Sequence, residues 1–264
     1  VRVYGWNAAA NNNNGGWEQL GNDVDMVGEE VGDYLGNSVS LSSNGTIVAT
    51  GAPWYDNLAE AHTNVGHVKV YEYSSSANEW DQKGSDIIGE AGADKSGTSV
   101  SLSSDGLILA IGAPYNDAGN ASSIDNRGHV RVYEWDNNDY VQKGDDIDGA
   151  TPGDLLGFSV SLSSDGSIVA IGATQGTGRG YVRVYEWVAS TTEGVNSAWT
   201  KLGEDILGEN ANDRSGCSVS LNADGNIVAI GATHNDGNGS DSGHVRVYEY
   251  KIPSQNEWDN GNVI

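Results

Sequence analysis

The chain has 264 residues, with 13 Lys plus Arg against 37 Asp plus Glu and a formal net charge of −24 at pH 7. That acidic excess excludes nucleic acid and anionic membrane surfaces as partners, because both would repel it. No run of 18 apolar residues is present, so no transmembrane helix or membrane insertion is expected, and the lone Cys217 excludes an internal disulfide.

In chain order, the first strand signal is Val1–Tyr4 (Val-Arg-Val-Tyr), followed by an aromatic-led block at Trp17–Val24. At Gly36 a longer unit begins, Gly-x-Ser-Val-Ser-Leu-x-x-Asn-Gly-x-Ile-x-Ala-x-Gly-Ala, which returns at Gly97, Gly157 and Gly216 with intervals of 61, 60 and 59 residues. The Val-Arg-Val-Tyr block follows each time, at His67–Tyr71, His129–Tyr133, Tyr181–Tyr185 and His244–Tyr248. The aromatic block follows in turn, at Trp80–Ile87, Tyr140–Ile147, Trp199–Ile206 and, degraded, Trp258–Ile264. With the pieces named A (Ser-Val-Ser-Leu-Ser), B (Ile-Val-Ala-Ile-Gly-Ala), C and D, the chain reads C-D and then four rounds of A-B-C-D. This divides one domain, 1–264, into a partial repeat 1–35 and repeats 36–96, 97–156, 157–215 and 216–264.

Each piece is short, rich in Val, Ile, Tyr and Trp, and bounded by Gly, Asn, Asp or Ser, as strands are. Asn44-Gly45, Asp105-Gly106, Asp165-Gly166 and Asp224-Gly225 predict a two-residue type I′ hairpin between A and B. Segment A alternates Val and Leu with Ser, whereas B is apolar almost throughout and needs cover on both faces. Sheets covered on both faces and repeated at this interval predict an all-β fold, a β-propeller of four-stranded antiparallel blades. A parallel β-helix has shorter coils and no use for a hairpin in every repeat.

The order of motifs carries a family resemblance. Asp33-x-x-Gly36, Asp94-x-x-Gly97, Asp154-x-x-Gly157 and Asp213-x-x-Gly216 lead into Ser-Val, Gly51-Ala52-Pro53 and Gly112-Ala113-Pro114 end segment B, and Gly-x-Val-x-Val-Tyr follows. This resembles FG-GAP repeats, which implies an integrin-alpha-type propeller. The chain departs from the family at the Phe of Phe-Gly, replaced by Leu35, Ser96, Leu156 and Ser215, and at Thr174 and Thr233 in place of Pro. The family's calcium loop between the first two strands is absent, so metal binding there is not inherited.

The unmatched C-D pair at Val1–Val24 leaves a strand edge to fill. A ring of five blades would lack one A-B hairpin, and four closed blades would leave a spare C-D hairpin. Either way the edge invites pairing from outside 1–264 or head-to-tail self-assembly.

Candidate functional residues are those that break the repeat. His67, His129, Tyr181 and His244 share one position, and Arg2, Lys69, Arg131, Arg183 and Arg246 another, so these read as packing residues and structural ion pairs. The aromatics Trp54, Tyr55 and Tyr115 break it, lying in B–C loops on a face rich in carboxylates. With Asp56, Asn116, Asp117 and His234 they form the expected ligand contacts. Asp236, Asn238, Ser240 and Asp241 offer oxygens at alternate spacing, so the one cofactor to consider is calcium. Asn120 and Asn238 match the N-glycosylation pattern and would accept glycan in a eukaryote. No nucleophile elbow, phosphate loop or zinc pattern occurs. The sequence therefore suggests a non-catalytic extracellular or cell-surface adhesion or scaffolding propeller. It would meet a protein or glycan partner through its acidic loop face or an open blade edge. A calcium-dependent glycan-binding module and an enzyme are the rival readings.

Overall fold

A computed structural model describes residues 1–10, 15–22, 25–117, 125–175, 178–191 and 196–251, and the backbone of 257–259. All its regular elements are strands. The hairpin β1 (Tyr4–Asn7) and β2 (Gly16–Gln19) forms a two-stranded sheet, and four blades follow. The first holds β3 (Ser38–Leu41), β4 (Ile47–Ala52), β5 (His67–Ser74), β6 (Glu79–Gln82) and β7 (Ile87–Ile88). The second holds β8 (Ser99–Leu102), β9 (Ile108–Ala113), β10 (His129–Trp135), β11 (Tyr140–Gln142) and β12 (Ile147–Asp148). The third holds β13 (Leu156–Leu162), β14 (Ile168–Ala173), β15 (Tyr181–Val188), β16 (Ala198–Lys201) and β17 (Ile206–Leu207). The fourth holds β18 (Ser215–Leu221), β19 (Ile227–Ala232), β20 (His244–Lys251) and β21 (Glu257–Asp259). Within each blade, segments A to D pair antiparallel in sequence order, the propeller architecture the repeat predicts.

Blade-to-blade packing explains the two faces of segment A. Val100 and Leu102 are buried against Ile47, Ala49, Val68 and Val70 of the preceding blade. Their serine neighbours face the following blade: Ser99 Oγ donates to Gly157 O at 2.8 Å, and Ser101 Oγ accepts the Leu162 amide at 3.0 Å. The same pair of bonds joins the first blade to the second and the third to the fourth. Backbones meet closely at these joints. A Cβ on Gly51, Gly112 or Gly172 would lie 2.1, 2.0 or 2.0 Å from the carbonyl oxygen of Gly97, Gly157 or Gly216.

Two local expectations are corrected. The A–B connection is not a two-residue type I′ turn. Gly45 has φ 73° but Asn44 is absent from the left-handed residues, and the Gly45 amide donates to Ser42 O at 2.9 Å. The side chains explain the shape, because Asn44 Oδ1 accepts from Ser42 Oγ and the Thr46 amide while Ser42 Oγ accepts the Ile47 amide. Such local side-chain bonds reshape a turn that dipeptide preference alone would set. Segment D is also broken. In the second blade β11 pairs with Tyr133–Trp135 and β12 with His129–Val130, and the residues between bulge out to set Asp146 against Arg131.

The arc has two open end faces among the described residues. On the fourth blade Ser218 and Ser220 are exposed, as are Val245 and Val247. On the first, Val39 and Leu41 are exposed where their counterparts Val100 and Leu102 are buried. The hairpin β1–β2 packs on the first blade within its own chain, with Trp80 Nε1 donating to Leu20 O at 3.1 Å and Lys69 Nζ paired with Glu29.

Candidate functional site

The loop face proves less acidic than its sequence. Asp33, Asp94, Asp154 and Asp213 are buried and accept backbone amides of their own turns, among them Glu30, Ala91, Thr151 and Asn210 at 2.7–3.0 Å. Burial raises the Asp94 carboxyl above its usual range. Glu29, Glu90 and Glu209 turn inward to Lys69, Arg131 and Arg246. Asp56 accepts the Asn64 amide at 2.6 Å, and Asp117 the Asp125 and Asn126 amides at 2.8 Å. Carboxylates spent on turns and internal ion pairs cannot act as a free adhesive surface.

What the face does present is a stripe of unlike side chains. Three repeat positions converge there: Tyr34, Lys95, Leu155 and Arg214 at the first, Trp54, Tyr115, Gln175 and His234 at the second, and Asn37, Thr98, Phe158 and Cys217 at the third. The Tyr34 and Trp54 rings lie 5.1 Å apart. Lys95 bridges the first two blades, with Nζ 5.1 Å from the Trp54 ring centre and 4.4 Å from that of Tyr115. One blade on, Tyr115, Leu155, Phe158, Gln175, Arg214 and Cys217 line a cavity of about 500 Å³. Although cations elsewhere in the chain are paired, Lys95, Arg179 and Arg214 have no carboxylate within 4.0 Å among the described residues. All three lie on the loop face.

Of the residues proposed from sequence, the structure puts Trp54, Tyr115 and His234 on this stripe. Tyr55 instead stacks on buried His67 at 4.1 Å, and buried Asn116 donates to Asp94 at 2.9 Å. Asp56 and Asp117 hold their loops as described. Lys95, Arg214, Tyr34 and Phe158 are not among the candidates drawn from the sequence. The signal for them was present, since these are the positions at which four otherwise matching repeats disagree.

The Asp236–Asp241 loop is exposed and closes on itself, with Asp236 Oδ1 accepting the Asp241 amide at 2.8 Å. Asn238 is exposed in that loop, and Asn120 lies outside the described residues. A different set, Glu90, His129 and Asp146, places one ligand atom each within 4.8 Å of the others and could hold a metal. Its chemistry does not favour calcium, which takes oxygen ligands. Arg131 already bonds both carboxylates, with Nε 2.9 Å from Asp146. His129 is buried, and burial together with the Arg131 charge holds its imidazole well below the usual value.

Residues 208–248 match the FG-GAP repeat model, which spans β18, β19 and most of β20. No curated protein matches the chain. Among solved structures, the periplasmic gluconolactonase of Pseudomonas aeruginosa is similar at 13% identity and a TM-score of 0.57, over 99% of this chain and 62% of that one. Kuenenia stuttgartiensis hydrazine synthase is similar at 14% identity and a TM-score of 0.45, over 80% of this chain and 51% of that one. The chain thus spans less than two thirds of either, and the likeness to the gluconolactonase is one of fold. It corrects the expectation of a non-catalytic adhesion or scaffolding module. A fold matched along its whole length by an enzyme gives no ground for denying catalysis, and most of the carboxylates meant to carry adhesion are internally engaged. Among the described residues no helix is long and apolar enough to cross a membrane.

Proposed function

We propose that the loop-side stripe binds an anionic saccharide, with sugar rings against Trp54, Tyr115 and Phe158 and acidic groups met by Lys95 and Arg214. The observation that carries this reading is the absence of a carboxylate partner, among the described residues, for the loop-face cations Lys95 and Arg214 in a chain of net charge −24. Where carboxylates are so abundant, a cation left without one is free for an anion from outside. Aromatic faces suit the apolar side of a sugar ring, and guanidinium and ammonium groups suit its carboxylate or sulfate. Calcium has no part in this reading. A location outside the cytoplasm accords with it, supported by the FG-GAP repeat and by the periplasmic origin of the similar gluconolactonase.

The test is calorimetric titration with an oligouronate and with a neutral oligosaccharide of equal length. Only the oligouronate should bind, and Lys95→Ala should weaken it about tenfold, the loss of one charge-assisted contact. Equal binding of the neutral sugar refutes the reading. Because the similar enzyme is a gluconolactonase, gluconolactone hydrolysis belongs in the same series, and turnover abolished by Arg214→Ala would extend the site from binding to catalysis.

A further inference from the structure

At the loop end of the second blade a buried imidazole has a ring nitrogen with nothing to bond. The His129 side chain is 4% exposed, and its Nδ1 makes no hydrogen bond among the described residues. Two carboxylate oxygens face that nitrogen, each 3.7 Å away: Glu90 Oε2, from the turn between β7 and β8, and Asp146 Oδ2, from the bulge in segment D. That is too far for a hydrogen bond, and a buried ring nitrogen left without one is costly. It is close to the separation that a shared ion imposes. In a tetrahedral zinc site with bonds of ~2.0–2.2 Å, neighbouring donors stand about 3.3–3.6 Å apart.

The repeats show that the histidine and the glutamate belong together. Glu29 accompanies His67, Glu90 accompanies His129 and Glu209 accompanies His244, while in the third blade both are replaced, by Ala150 and Tyr181. There Arg183 holds Asp205 through two bonds of 3.0 Å, one cation against one carboxylate. In the second blade Arg131 faces two carboxylates, so one negative charge is left over. A histidine kept for packing alone would have no reason to come and go with that second carboxylate. Only in the second blade, among the described residues, do the three donors all lie within 4.8 Å of one another.

We propose that Glu90, His129 and Asp146 bind one zinc ion through Oε2, Nδ1 and Oδ2, with water as the fourth ligand. Arg131 can stay in place beside it. Its bonds run to Glu90 Oε1 and to Asp146 Oδ1, and although Nη2 also reaches Asp146 Oδ2 at 3.0 Å, a carboxylate oxygen has a second lone pair for an ion. Hydrogen-bonded ligands are the rule around zinc, and Asn116 Nδ2, 3.4 Å from Glu90 Oε2, orients the glutamate further. The oxygens left over by Arg131 are too few for calcium, which takes six to eight, whereas one nitrogen and two oxygens meet the needs of zinc. Glu90 is the most exposed of the three, so the ion enters on its side.

The intact protein, first stripped with a chelator, is titrated with zinc by calorimetry and with cobalt(II), whose visible absorption reports a tetrahedral site. One ion per chain should bind with a Kd of about micromolar or tighter, raise Tm, and resist displacement by millimolar calcium or magnesium. Glu90→Gln, an isosteric change at a partly exposed side chain, should weaken zinc at least about tenfold. His129→Gln should do the same and abolish the cobalt spectrum, and if that variant does not fold, Glu90→Gln decides. His62→Gln, at a loop histidine beside Glu60, should leave the affinity unchanged. No zinc binding to the stripped protein overturns the proposal, as does equal affinity in Glu90→Gln. Binding lost in His62→Gln instead would put the ion on the loop surface and would also overturn it.

Discussion

Replacing the joint glycines by alanine separates a blade covered on both faces from one whose outer face is open among the described residues. In Gly112→Ala the new methyl would lie 2.0 Å from Gly157 O, a buried backbone atom that cannot move aside alone. The blades must part, which strains the packing of Val160 and Leu162 and breaks the 2.8 Å bond from Ser99 Oγ to Gly157 O. Overpacking of this kind costs about 1–3 kcal/mol and the lost bond about 1 more, so the expected destabilisation is about 2–4 kcal/mol. Gly231 occupies the same repeat position on the fourth blade, yet its Cβ would meet only Ser218 Oγ at 2.4 Å and Cys217 Sγ at 3.6 Å. Ser218 is exposed and can rotate away. Alanine is also favoured over glycine in a strand by about 0.5–1 kcal/mol, so Gly231→Ala should be neutral or better. Urea unfolding of both variants measures the difference. An equal loss at the two positions would show that the fourth blade's outer face is covered, and no loss at Gly112 would refute the account of blade packing.

Three further outcomes follow from the ion-pair layer. Burial lowers the pKa of His67 and His129, so unfolding takes up protons below the ordinary histidine value near pH 6.5. Stability should therefore rise with pH up to that point and level off above it, with a shallower slope in His129→Gln, as measured by urea midpoints between pH 5 and 8. Arg131→Ala leaves Glu90 and Asp146 facing each other without a cation and should cost about 2–4 kcal/mol in the same assay. Calcium at millimolar concentration should leave Tm unchanged, because the carboxylates nearest to a metal geometry are held by Arg131. A rise of several degrees would assign an ion to the protein.

Much of the fold was legible because the repeat states it four times. Val39, Val100, Val160 and Val219 share one repeat position and one strand assignment, although Val39 is exposed where Val100 and Val160 are buried. The turn type was not legible, since it depends on a bond from Ser42 to Asn44 that dipeptide preference does not encode. The broken segment D was hidden for a similar reason: Gly144 and Asp146 read as a strand's tail until Arg131 gives the bulge its purpose. At the site, the number of acids overstates the charge that the face presents. Asp94 and Asp154 recur at one repeat position, which marks them as turn caps, and both are buried on their own turns' amides, so the surface chemistry lies in the groups that remain unpaired.

Backbone conformation supplies a separate test of the stripe. Tyr34, Lys95, Leu155 and Arg214 all lie in the left-handed region, at φ 55, 54, 56 and 55°. A side chain there costs about 1–2 kcal/mol that glycine avoids, and such strain gathers at functional positions. A turn selected only for shape would carry glycine or asparagine, yet four bulky and mutually unlike residues stand here. Arg214 is the cleanest case, being exposed and without an ion pair among the described residues. Glycine at this position should relieve the strain, offset in part by the greater freedom of the unfolded chain, for a net gain of about 0.5–1 kcal/mol. It should also weaken oligouronate binding. Greater stability with lower affinity would show that the residue is kept for its ligand, and lower stability in Arg214→Gly would show instead that the arginine serves the fold.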